Sequence, residues 1–100
     1  MTADVCPQLV FFTSRRSGPA RRMESLLAHL ARRERHRLRI DKIDVDELPH
    51  LAERFRVRQV PSLVLVVDKR VVSRLTGRAT APRIEEMLEP YLENAEAAAA

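Results

Sequence analysis

One cysteine, no tryptophan, two glycines and four aromatic residues are all that this chain of 100 residues holds of those types. Each scarcity excludes something. A single thiol, Cys6, cannot form an internal disulfide, so nothing in the composition argues for an oxidising compartment. With one cysteine and scattered histidines (His29, His36 and His50) there is no zinc-ligand spacing, and no metal or other cofactor is expected. Phe11, Phe12 and Phe55 read as core residues, which leaves no aromatic platform for stacking bases. Nucleic acid is therefore not an expected partner. The longest apolar run, Leu63 to Val67, is far too short to cross a bilayer, and the first residues lack the positive start and apolar stretch of a leader. The expectation is a cytoplasmic protein without membrane contact. Lysine is also scarce: only Lys42 and Lys69 occur, so arginine carries nearly all the positive charge behind the net +4. Such a charge speaks to solubility and encounter rather than to fold.

What is present is the composition of a packed globule, 45% hydrophobic and 32% charged, with no linker and no internal repeat. One domain follows, large enough for a modest core. Its expected bounds are 9–93, preceded by a short segment 1–8 and followed by a flexible Ala-rich tail, 94–100.

The apolar pattern alternates cleanly along the chain. Leu9 to Phe12 form a short apolar run, the mark of a central strand. Met23, Leu26, Leu27 and Leu30 then fall at i, i+3, i+4 and i+7, the apolar stripe of a helix packed on a sheet. The segment around Leu38, Ile40 and Ile43 reads as a second strand. Asp46 is placed to cap a short helix whose packed side carries Leu48, Leu51, Ala52 and Phe55, with Pro49 in its first turn. Leu63–Val67 and Val71–Leu75, joined by Asp-Lys-Arg, read as a hairpin. That connection lacks the Gly or Asn of tight hairpin turns, so a longer or strained turn is expected. Thr80 caps a last helix with Pro82 near its start and Ile84, Met87, Leu88 and Tyr91 facing inward. Pro90 is expected to kink or end it. The order β-α-β-α-β-β-α places the first two strands in parallel through a right-handed crossover and adds an antiparallel pair. An α/β fold follows, a four-stranded mixed sheet flanked by three helices.

Four features in this order resemble the thioredoxin family. The stretch from Lys42 to Val66 is similar to the family's second strand, short helix and cis-proline loop, with Val60-Pro61-Ser62 at the cis-proline. Gly77 matches the glycine after the last strand. Ser17-Gly18-Pro19-Ala20 stands where the family carries Cys-Gly-Pro-Cys. The resemblance covers about Leu9 to Leu92, without the strand and helix that open a full thioredoxin. In the family the first cysteine is a thiolate nucleophile, its pKa lowered at a helix N-terminus, and the second resolves the mixed disulfide. Ser17 cannot ionise near neutral pH, Ala20 has no reactive atom, and Phe11 replaces a buried acid that assists proton transfer. The resemblance thus implies a degenerate, redox-inactive site. Ser17 is instead suited to cap the following helix, which Pro19 helps to start.

Three functions are open at this point. The first is a protein-binding or adaptor module, in which Gln59, Val60 and Pro61 face Arg16-Ser17-Gly18 across a groove that takes an extended peptide by strand addition. The second is thiol chemistry after all, through Cys6 or a partner's cysteine. The third is anion binding, since Arg15, Arg16, Arg21 and Arg22 bracket a helix N-terminus. The expectation is that the chain is not an enzyme and has no catalytic residues.

Overall fold

The computed structural model describes residues 6–99, with side chains through residue 93. The elements are β1 (Gln8–Thr13), α1 (Gly18–Arg33), β2 (Arg39–Asp44), α2 (Pro49–Arg54), β3 (Ser62–Val67), β4 (Arg70–Thr76) and α3 (Ala81–Ala99). The sheet order is β2-β1-β3-β4, with β1 and β2 parallel and the other two pairings antiparallel. The mixed four-stranded sheet with three helices is as the pattern predicts.

β1 is central because both of its faces are apolar. Leu9 and Phe11 join a cluster with Met23, Leu27 and Leu30 of α1 and Ile84, Leu88 and Leu92 of α3. Val10 and Phe12 point the other way, toward Ala52 of α2, with Phe55 packed on them; the Phe12 and Phe55 rings lie 5.5 Å apart. Helices α1 and α3 therefore cover one face and the six-residue α2 covers the other. Burying Met23, Leu27 and Leu30 contributes roughly 1.5–3 kcal/mol each, far more than the helix propensity of α1 alone supplies. β2 departs from plain alternation. Ile40 packs with the α1 cluster and Ile43 with the α2 cluster, as residues three apart in a strand must.

Several local expectations are corrected. The hairpin turn, by contrast, takes the strained form of the two expected: Val67 pairs with Arg70, and the two residues between them, Asp68 and Lys69, both have positive φ (53° and 67°). That is the arrangement Asn-Gly favours, imposed here by the apolar strands on either side. Asp46 does not cap α2; Leu48 occupies that position without a side-chain bond and is 39% exposed rather than packed. Pro90 does not end the last helix, which continues to Ala99. Pro90 and Glu86, whose carbonyl loses the N–H it would have received, both lie on the exposed face, so that carbonyl stays open to solvent. Residues 94–99 continue this helix as far as Ala99, in keeping with alanine's propensity. Most of the short segment 1–8 lies outside the described residues. Thr80 sits immediately before α3, and its carbonyl accepts from the Ile84 N–H at 3.1 Å.

Candidate functional site

The site lies where β1 ends and β3 begins. Phe12 pairs with Ser62 across the antiparallel ladder, so one step further Thr13 comes opposite Pro61. The loop 14–17 and the loop 59–61 thus emerge at the same end of the sheet. The Val60–Pro61 peptide bond is cis. Gly77 secures this loop from the far side: its N–H donates to the Pro61 carbonyl at 2.8 Å. Gly77 has φ of +86°, and a Cβ there would sit 3.4 Å from Gln59 Nε2. The backbone conformation calls for glycine; the Gln59 contact, with the end of a flexible side chain, adds little.

Ser17 is the N-cap of α1. Its backbone is extended (φ −99°, ψ 108°), and its hydroxyl oxygen accepts from the Ala20 N–H at 3.1 Å. Gly18 and Pro19 start the helix, and the Ser17 carbonyl accepts from the Arg21 N–H at 3.1 Å. Ala20 is fully buried in the core cluster. Position 17 therefore holds an oxygen aimed at the first-turn amides, and position 20 a methyl packed into the core.

The loop before Ser17 is fastened to the opposite loop. The Ser14 hydroxyl donates to Asp46 Oδ2 at 2.5 Å and accepts from the Arg16 N–H at 3.2 Å. The Arg16 guanidinium donates to Asp46 Oδ1 at 2.9 Å, and the Asp46 N–H is itself held by Asp44 Oδ1 at 2.8 Å. The Ser14 hydroxyl, then Arg16, hold the Asp46 carboxyl below its ordinary pKa. Asp46 in turn raises Arg16 above its ordinary value. The sequence marks Asp46 as a polar residue near a helix start but has no means of linking it to a loop thirty residues earlier.

The thioredoxin family model matches residues 3–90. The chain belongs to the thioredoxin family. It is 31% identical over 85 residues to a thioredoxin of Staphylococcus aureus, covering 85% of this chain and 82% of that one. A thioredoxin-like protein of Synechocystis is 28% identical over 86 residues, with 86% and 82% covered. Among solved structures, a mutant thioredoxin from Halobacterium salinarum superposes with a TM-score of 0.81 at 32% identity, covering 89% of this chain and 77% of that one.

The remaining sequence candidates of this thioredoxin-family chain sort by geometry. Phe11 is 2% exposed and packed among Leu27, Leu63 and Leu65. Arg15 and Arg16 are paired with Glu47 (3.4 Å) and Asp46 (2.9 Å), so two of the four arginines expected to attract an anion already face carboxylates. Arg21 and Arg22 are exposed on α1. Cys6 is exposed and precedes β1, whereas Ser17 follows it. Five residue steps of strand, about 17 Å, separate the two ends of β1. His29, His36 and His50 are all exposed, and among the described residues no three metal-ligating side chains converge. No helix among the described residues is long and apolar enough to cross a membrane. Thr13 Oγ1, one residue from the loop, is buried and makes no hydrogen bond among the described residues.

Proposed function

We propose that this thioredoxin-family chain is redox-inactive and serves as a protein-binding or adaptor module, taking an extended segment of a partner beside the Val60–Pro61 loop. One observation carries the first half. Ser17 spends its oxygen on the helix cap, Ala20 is buried in the core, and the only thiol of the chain is a strand's length away. A dithiol cycle needs two sulfurs within about 4.4–6.8 Å between Cα atoms. No pair here meets that.

The second half is supported at Val60. Among the described residues its N–H and carbonyl make no hydrogen bond, and its side chain is only half-buried. An extended peptide can use those two groups as a neighbouring strand would. The role is proposed for the cytoplasm, where an exposed thiol such as Cys6 stays reduced.

Insulin reduction tests the first half. Wild type is expected to show none, and clear turnover refutes the reading. The Ser17→Cys, Ala20→Cys variant should form an internal disulfide and regain a small activity, because the Ala20 N–H that now binds Ser17 Oγ, and the helix N-terminus it belongs to, would stabilise a thiolate. Without an acid at position 11, its turnover should stay far below that of an ordinary thioredoxin. Affinity capture with wild type beside Val60→Asp tests the second half. A partner retained equally by both would remove the groove from consideration.

A further inference from the structure

A concavity lies on the α2 side of the sheet, at the end where the 59–61 loop enters β3. It is a cavity of about 250 Å3 walled by Arg56, Arg58 and Arg74, with Gln59 and Thr76 beside them and Val64 beneath. The fold gathers these residues from two separate elements. Val64 belongs to the α2-side cluster and pairs directly with Arg74, so Arg74 shares its face of the sheet. Arg56 and Arg58 come from the segment that leaves α2. That helix closes with Val57 N–H donating to the Ala52 carbonyl (2.8 Å) and Arg56 N–H to the Glu53 carbonyl (3.0 Å). This closure puts Arg56 in the left-handed region, φ 57°, where glycine is the usual occupant.

The charge at this place is unbalanced. No carboxylate lines the cavity, and among the described residues none of the three guanidiniums makes an ion pair or hydrogen bond. Five other arginines, Arg15, Arg16, Arg33, Arg37 and Arg39, are each paired with an acid; what sets this place apart is that three unpaired ones line a single cavity. A guanidinium is always charged at neutral pH and offers a planar fork of donors suited to phosphate. We propose that this cavity binds the phosphate group of a small organic phosphate. A carboxylate, with one charge, would leave two guanidiniums unmatched; a phosphate monoester, close to a dianion at neutral pH, matches them better. The space exceeds a water molecule's share of about 30 Å3 several-fold, enough for the phosphate and part of its carrier. A polynucleotide is disfavoured, since Phe11 and Phe12 are buried and Phe55 packs against Phe12. The inference does not depend on the peptide-binding reading.

Calorimetric titration with inorganic phosphate, phenyl phosphate and acetate tests this. The expected result is one saturable site, with phenyl phosphate bound at least as tightly as inorganic phosphate and about ten-fold more tightly than acetate. Arg58→Gln and Arg74→Gln should each weaken phosphate binding about ten-fold, and Arg15→Gln should leave it unchanged. Arg56→Gly removes one guanidinium while supplying the residue that its backbone favours. Loss of phosphate binding there, with Tm unchanged or raised, separates recognition from misfolding. Acetate binding as tightly as phosphate overturns the proposal, and exclusion of phenyl phosphate overturns the organic carrier. Equal weakening by Arg15→Gln and Arg74→Gln, or a uridine oligonucleotide that outbinds both phosphates, would mean a diffuse basic surface and overturn it too.

Discussion

Replacing Phe11 with aspartate tests the core and the loss of the family's buried acid together. Phe11 is 2% exposed, faces Leu63 across the ladder and packs on Leu27. Removing a buried phenyl ring costs about 3–5 kcal/mol in transfer and cavity terms. Placing a carboxyl in the dry space adds about 1–3 kcal/mol. One offset is available. Lys42 is the β2 neighbour of Phe11, and its ammonium lies 3.8 Å from Glu24. With 59% of its side chain exposed, Lys42 would return no more than about 1 kcal/mol as a new partner. The net loss is then about 3–8 kcal/mol, against a usual total of about 5–15 kcal/mol for a domain of this size. Urea unfolding followed by circular dichroism measures it, with Phe11→Ala as the reference that lacks only the carboxyl. Burial raises the folded pKa of the new acid above its unfolded value of about 3.9. The Asp variant should therefore approach the Ala variant below that pH and fall behind it as pH rises through the folded value. A loss under about 1 kcal/mol, the same at every pH, would place Phe11 at the surface and refute the strand register.

Thr13→Val deletes a buried hydroxyl that makes no hydrogen bond among the described residues and keeps its shape, so Tm should rise; a fall would reveal a partner for Oγ1. Gly77→Ala forces a Cβ into a positive-φ position beside Gln59 and should cost about 1–2 kcal/mol in urea unfolding; an unchanged midpoint would contradict that backbone conformation. Glu34, 8% exposed at the end of α1, is held below its ordinary 4.5 first by the Arg37 guanidinium (2.7 Å) and then by Arg33 (3.1 Å), although burial pushes the other way. A carboxylate with a lowered folded pKa stabilises the protein above its unfolded value and loses that contribution as pH falls through the folded one. Stability should thus decline below about pH 4.5, less steeply in Glu34→Gln; equal slopes would remove Glu34 from the acid response.

The parts of the fold visible in the sequence are those set by local repetition. The i, i+3, i+4, i+7 spacing from Met23 to Leu30 needs only the geometry of one helix, and the runs around Phe11 and Val64 need only a sheet buried on both faces. Ser17 is legible as a cap because its oxygen reaches an amide three residues away. What escapes are choices between competing local preferences. Asp46 suits a helix cap equally well, but Arg16 and Ser14 offer its carboxylate charge-assisted partners that only the folded chain brings near. Lys69 follows the register of the strands against its own preference, whereas Asp68 tolerates the left-handed region. Pro90 is tolerated because its turn faces water. The cavity arginines give no signal, since Arg56 and Arg74 are far apart in sequence and meet only through the β3–β4 pairing.

The position of Cys6 also makes the chain a convenient instrument. It is the one native thiol, exposed just ahead of β1, and about 17 Å of strand lies between it and the loop that carries Ser17. A maleimide dye attached there would report on tumbling and on complex size through its anisotropy, without touching Val60 or the arginine cavity. Paired with a second label introduced near Arg58, it would form a molecular ruler across the sheet. Occupancy of either site could then be followed in the same sample, from a handle the protein already possesses.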